Sequence, residues 1–134
     1  MREQTQKKLT ILVQANKINF ADLAFLNKLD KDLAKFDGGS KEEMLLIHVA
    51  MSLFRKRNNQ EIDKIPDELW KQIISKPVYQ QAKEYWQTNE KNSPILLGKN
   101  ESQYIIMHLV NVMTKEVNDH EKNRCRRPNG KRGN

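Results

Sequence analysis

Two stretches of this chain, sixty residues apart, repeat one pattern, and the pattern is helical. The first reads Ser40-Lys41-Glu42-Glu43-Met44-Leu45-Leu46-Ile47-His48-Val49-Ala50-Met51. The second reads Asn100-Glu101-Ser102-Gln103-Tyr104-Ile105-Ile106-Met107-His108-Leu109-Val110-Asn111. Each opens on a residue favoured at a helix N-cap and carries Glu or Gln three positions later, the signature of a capping box. Each then runs apolar for four residues and places a histidine eight residues after the cap. The chain is thereby committed to a helix at both places, with a titratable ring at the same depth in each.

The rest of the chain reads as helix and turn. Residues 4–15 suit a short helix using Leu9, Leu12 and Val13. Asn19 is a cap with Asp22 three residues on, and Leu23, Leu26, Leu29, Leu33 and Phe36 then recur at steps of three and four. Asp37-Gly38-Gly39 is expected to end that helix, and Ser40 to cap the next, which runs to about Arg57. Pro66 suits a first helical turn, with Asp67 and Glu68 near the positive end of the dipole. Val78, Ala82, Tyr85 and Trp86 give one face of a further helix ending near Asn89. In the loop 91–99, Ile95 and Leu96 are expected to turn inward. The last helix is expected from Asn100 to about Val117. No stretch reads as a strand, so the fold expected is all-α, a bundle of five or six helices around one core.

Charge is unevenly placed. Residues 121–134 hold Lys122, Arg124, Arg126, Arg127, Lys131 and Arg132 against Glu121, which accounts for five of the chain's seven net positive charges. With no large apolar residue from Glu121 onward, the tail 118–134 is expected to stay disordered. The organisation expected is an N-terminal extension over 1–19 with its short helix, a helical domain over 20–117 and this basic tail. No charge-poor apolar run reaches transmembrane length. One cysteine, Cys125, excludes an intramolecular disulfide framework and fits a reducing, cytoplasmic setting.

Helical spacing limits what the histidines can do. Metal sites need three or four ligands, often a turn apart. The residues four away from His48 are Met44 and Ser52, and those four away from His108 are Tyr104 and Val112. No metal is therefore expected. Nor is there a Gly-x-Ser-x-Gly elbow, a helix-borne cysteine nucleophile or a phosphate-cradling glycine loop, so neither an enzyme nor a cofactor is expected. A neutral imidazole can accept a phosphoryl group from an activated donor. Arg55, two turns beyond His48 on the same face, with Lys56 and Arg57 beside it, suits a phosphate or simply complements the dipole of a solvated last turn. The residue pattern leaves two readings of the histidines open: phosphoryl acceptors, or polar residues satisfied within a helical core.

Three motifs in order carry a resemblance. His48-Val-Ala-Met-Ser-Leu-Phe-Arg55 comes first, then Ile65-Pro66-Asp67-Glu68-Leu69-Trp70, then Glu101-Ser-Gln-Tyr104-Ile-Ile-Met107-His108-Leu-Val110. Over residues 20–117 the chain resembles the PTS regulation domain (PRD) family. These are helical modules of bacterial transcription antiterminators and activators controlled by the sugar phosphotransferase system. The resemblance implies a helical bundle that pairs as a homodimer, with His48 and His108 as phosphoacceptors. It implies Arg55 and Glu101 as supporting or phosphate-pairing residues, and the phosphocarrier HPr or an enzyme II B component as donor. Family regulators usually carry two such domains behind a nucleic-acid-binding domain. One copy stands here, which implies action in trans through protein–protein contacts. Asn100 stands where an acidic residue commonly precedes the Glu of the second motif. The alternatives are a small nucleic-acid-binding protein, using its tail and N-terminal helices, and a structural interaction domain that is never phosphorylated. Nucleic-acid binding is expected only non-specifically, through the tail.

Overall fold

The computed structural model describes residues 1–114. Among them are six α-helices, one 3-10 turn and no strand: α1 Glu3–Gln14, α2 Phe20–Leu33, the 3-10 turn Ala34–Phe36, α3 Ser40–Arg57, α4 Asp67–Ile74, α5 Tyr79–Glu90 and α6 Lys99–Met113. The all-α bundle expected from periodicity is what forms. The basic tail, Cys125 and the helical end proposed for residues 115–117 lie outside the described residues.

α3 is the central helix. It packs along α6 on one side and α2 on another, with α1 against both α2 and α3. α5 packs on α6, and the short α4 bridges α5 and α6. The core takes Leu26, Leu29 and Leu33 from α2, Leu45, Leu46, Val49, Ala50 and Leu53 from α3, and Ile105, Leu109 and Val110 from α6. Trp86 of α5 is wholly buried, meets Phe25 edge-on at 6.3 Å, and donates from Nε1 to Ser102 Oγ at 3.1 Å. Leu9 of α1 lies fully in this core, so the N-terminal helix is packed onto the bundle.

The start of α2 follows the sequence closely. Asn19 Oδ1 accepts from the Asp22 amide, and Asp22 Oδ2 accepts in return from the Asn19 amide, completing a capping box. The capping boxes expected at Ser40 and Asn100 do not form. α3 is capped by Gly39, whose φ of 57° suits a residue without a side chain, and Ser40 is already helical. Glu43 turns away from the cap, accepting from Thr5 Oγ1 at 2.7 Å and pairing with Lys8. α6 begins at Lys99 after Gly98, and the Asn100 amide group donates to the Ile62 carbonyl at 3.1 Å. In both places contacts from another segment outcompeted a local one. Two smaller expectations also shift. The left-handed exit after α2 falls on Asp37, with φ of 50°, rather than on a glycine. Leu96 points outward at 65% exposure, and its neighbour Leu97 is buried instead.

Candidate functional site

The two frames repeat in three dimensions as they do in sequence. Leu45-Leu46 and Val49-Ala50 are buried on either side of a half-buried Ile47-His48. Ile105-Ile106 and Leu109-Val110 are buried on either side of a half-buried Met107-His108. Each histidine therefore sits at the edge of its helix's buried face, and packing α3 on α6 brings the two edges together. The ring centroids lie 5.0 Å apart. Tyr104, one turn before His108, stacks on His48 at 5.8 Å with an interplanar angle of 29°.

Below the rings lies a polar cluster. Glu101 is nearly buried, and its Oε1 accepts from Ser52 Oγ at 2.7 Å and from Arg55 Nη2 at 2.9 Å. Its Oε2 accepts from Arg55 Nε at 2.8 Å, so the guanidinium grips the carboxylate at two points. His48 Nε2 stands 3.5 Å from Glu101 Oε1, beyond good hydrogen-bond length, and is sealed from solvent with no other partner. Ser52 Oγ also lies 2.9 Å from the His48 carbonyl, one turn back, so its single hydroxyl proton is shared between that carbonyl and the nearer Glu101 Oε1.

Electrostatics follow from this placement. Burial pushes the His48 ring down to about 4, and the neighbouring His108 and Arg55 add to the effect against the opposing pull of Glu101. Burial also lowers His108. Both rings are thus held neutral at physiological pH. Burial would raise the Glu101 carboxyl, but the hydrogen bonds from Arg55 and Ser52 and the charge of Arg55 outweigh it and hold Glu101 below the usual carboxylate range.

The rings open onto a groove of about 660 Å³ between α1, α3 and α6. Its walls are mostly apolar: Ile11 and Leu12 from α1, and Met44, Ile47 and Met51 from α3, with Lys8, Glu43 and Arg55 at its polar edges. Ile11 and Met44 are exposed. Among the described residues no group of three His, Cys, Asp or Glu side chains is placed to hold a metal ion.

All four residues singled out by sequence, His48, His108, Arg55 and Glu101, come together here. Arg57, considered beside Arg55, instead grips the buried Asp22 with both terminal nitrogens. Sequence reasoning missed Ser52 as a member of the cluster. Its signal was a serine one turn after His48 in an otherwise apolar run, where a buried hydroxyl must find a partner. It also placed Tyr104 beside His108 only, because spacing along one helix cannot show a ring on another.

The family model for the PRD domain matches residues 24–112. The chain belongs to the PRD family. PRD domains are, in general, regulatory modules of the phosphotransferase system. No curated protein and no solved structure matches the chain. The PRD match takes in both histidines, Arg55 and Glu101, and it leaves α1, one wall of the groove, outside. No helix among the described residues is long and apolar enough to cross a membrane.

Proposed function

We propose that this PRD protein is a phosphorylation-responsive regulatory module rather than an enzyme, and that His48 and His108 are its phosphoryl acceptors. The observation that carries the reading is the meeting of two neutral imidazoles, 5.0 Å apart, at the side of an open groove. A structural histidine is usually satisfied by a partner. His48 Nε2 has none, although Glu101 stands beside it. A neutral ring nitrogen is the form that attacks phosphorus, and burial preserves that form.

The donor is a protein of the phosphotransferase system, HPr or an enzyme II B component, which presents its phosphoryl group at the groove. The apolar walls suit a protein surface better than a small charged molecule. Phosphorylation adds roughly two negative charges to a half-apolar face. That charge changes how the face packs against a second copy or an effector, so the output is a protein–protein contact made in trans and read in transcription or antitermination. The site is cytoplasmic, where such donors act.

The test is incubation with phosphoenolpyruvate, enzyme I and HPr, then intact mass of the wild type, His48→Ala, His108→Ala and the double variant. The expected result is label on the wild type and none on the double variant. An unlabelled wild type, beside a control domain that labels, overturns the reading.

A further inference from the structure

We infer that Glu101 is a positioning residue for His48, fixing the Nε2–H form of the ring, so that Nδ1 is the atom that takes the phosphoryl group. This deepens the acceptor reading above and rests on it.

The ring's two nitrogens have different surroundings. Nε2 is sealed, without a hydrogen-bond partner, 3.5 Å from Glu101 Oε1. A lone pair at Nε2 would face an anion, whereas an N–H there faces it favourably. The carboxylate cannot turn away. Ser52 Oγ and Arg55 Nη2 hold Oε1, and Arg55 Nε holds Oε2. Tyr104 stacked on the ring and His108 beside it limit rotation of the imidazole. Nδ1 is the nitrogen that is not sealed, on a ring that lines the groove. With the proton on Nε2, Nδ1 keeps its lone pair.

The step is then simple to balance. The Nδ1 lone pair attacks the phosphorus of a protein-borne phosphohistidine. A bond forms between phosphorus and Nδ1, the donor's P–N bond breaks, and its electron pair stays on the donor nitrogen. No proton leaves His48. The positive charge that the phosphorylated ring acquires lies against Glu101. Arg55 engages Glu101 through Nε and Nη2, and so holds the carboxylate that positions the ring.

The test uses protein labelled with heavy nitrogen in its histidines. Long-range proton–nitrogen spectra of the unmodified wild type should show His48 with Nε2 protonated and Nδ1 bare. In Glu101→Gln the two forms should mix, and labelling of His48 should slow by about tenfold or more. The His108→Ala chain is then phosphorylated by enzyme I and HPr, and in parallel by phosphoramidate, which bypasses protein recognition. Phosphorus–proton correlation to the ring Hε1 alone supports attachment at Nδ1. Correlation to both Hε1 and Hδ2 means attachment at Nε2 and overturns the inference. If His48 takes no phosphoryl group from either donor, the acceptor reading falls with it. A wild-type ring bare at Nε2 overturns the role of Glu101 independently of any labelling.

Discussion

Arg55 on α3 and Glu101 on α6 form a two-point ion pair, with Nε donating to Oε2 at 2.8 Å and Nη2 to Oε1 at 2.9 Å. The pair ties together the two helices that carry the histidines. Glu101 is the more buried partner, at 9% side-chain exposure against 21% for Arg55. Removing either leaves the other withdrawn from water without its counter-charge, a loss of about 1–3 kcal/mol. Arg55→Ala should be the costlier change, because it strands the more buried charge. Urea unfolding of both variants checks this. Equal midpoints for wild type and Arg55→Ala would show the pair to be only a surface contact.

Asp22 joins local and tertiary structure in one side chain. It closes the capping box with Asn19, and both its oxygens take Arg57 from the end of α3, at zero exposure. Asp22→Ala keeps its backbone amide on Asn19 Oδ1, but removes the oxygen that accepts from the Asn19 amide and leaves Arg57 without its counter-charge. Asn19→Ala removes the oxygen that accepts from the Asp22 amide, worth about 1 kcal/mol, and leaves Arg57 paired. The expected order of stability is wild type, then Asn19→Ala, then Asp22→Ala, read from thermal unfolding. If the two variants melt together, Arg57 contributes nothing.

What the sequence showed and what it hid divide along one line. Features set within one helix were legible: the leucine rows of α2, the Asn19–Asp22 cap and the equal depth of His48 and His108. Features set between helices were not. Nothing in the spacing said that Arg55 would meet Glu101, or that the two rings would stand side by side. Glu43 and Asn100 show the same limit in reverse. Both looked like cap residues, and both were taken by partners far along the chain, Thr5 with Lys8 for one and the Ile62 carbonyl for the other. The family resemblance supplied Arg55 and Glu101 as names without their contact.

His48 gives a pH dependence of definite sign. Its ring titrates at about 4 in the fold, against 6.5 when unperturbed. Between these values the unfolded chain binds more protons, so this residue's contribution to stability falls as pH falls from 6.5 to 4 and is constant above. The full effect is at most about 3 kcal/mol. Glu101, held low, acts in the same sense further down, its stabilisation being lost as pH drops through its folded value. The stability difference between His48→Gln and wild type should therefore move in favour of the variant as pH falls from 7 to 4.5. A difference that stays constant over that range would mean that the ring is not held neutral by burial.

Glu42 and Asp30 bend the curve the other way. Burial, a hydrogen bond to Asp30 and the charge of Asp30 push the Glu42 carboxyl up to about 8, with the Met1 ammonium and Arg2 opposing. The hydrogen bond to Glu42 in turn lowers Asp30, whose Oδ2 also lies 3.1 Å from the Met1 ammonium. The two carboxyls share one proton. With a folded value above the unfolded one, the stability this gives is complete below about 4.5 and is lost as pH rises through 8. Glu42→Gln should match wild type near pH 5 and melt at a higher temperature than wild type at pH 9. An equal shift at both pH values would sink the shared-proton account.

The separation of the two rings limits what phosphorylation can do. A phosphoryl group on either ring brings roughly two negative charges. A second on its neighbour, with ring centroids 5.0 Å apart, would face the first across a partly apolar face, at a cost on the order of several kcal/mol. The nearest guanidinium cannot offset both, because Arg55 is committed to Glu101. Each chain should therefore take one phosphoryl group and not two. Intact mass at saturating donor should show a single added phosphoryl on the wild type. His48→Ala and His108→Ala should each still accept one if both rings are competent. A doubly modified wild type as the main species would show that the rings separate on modification, and the groove would then have to open between α3 and α6.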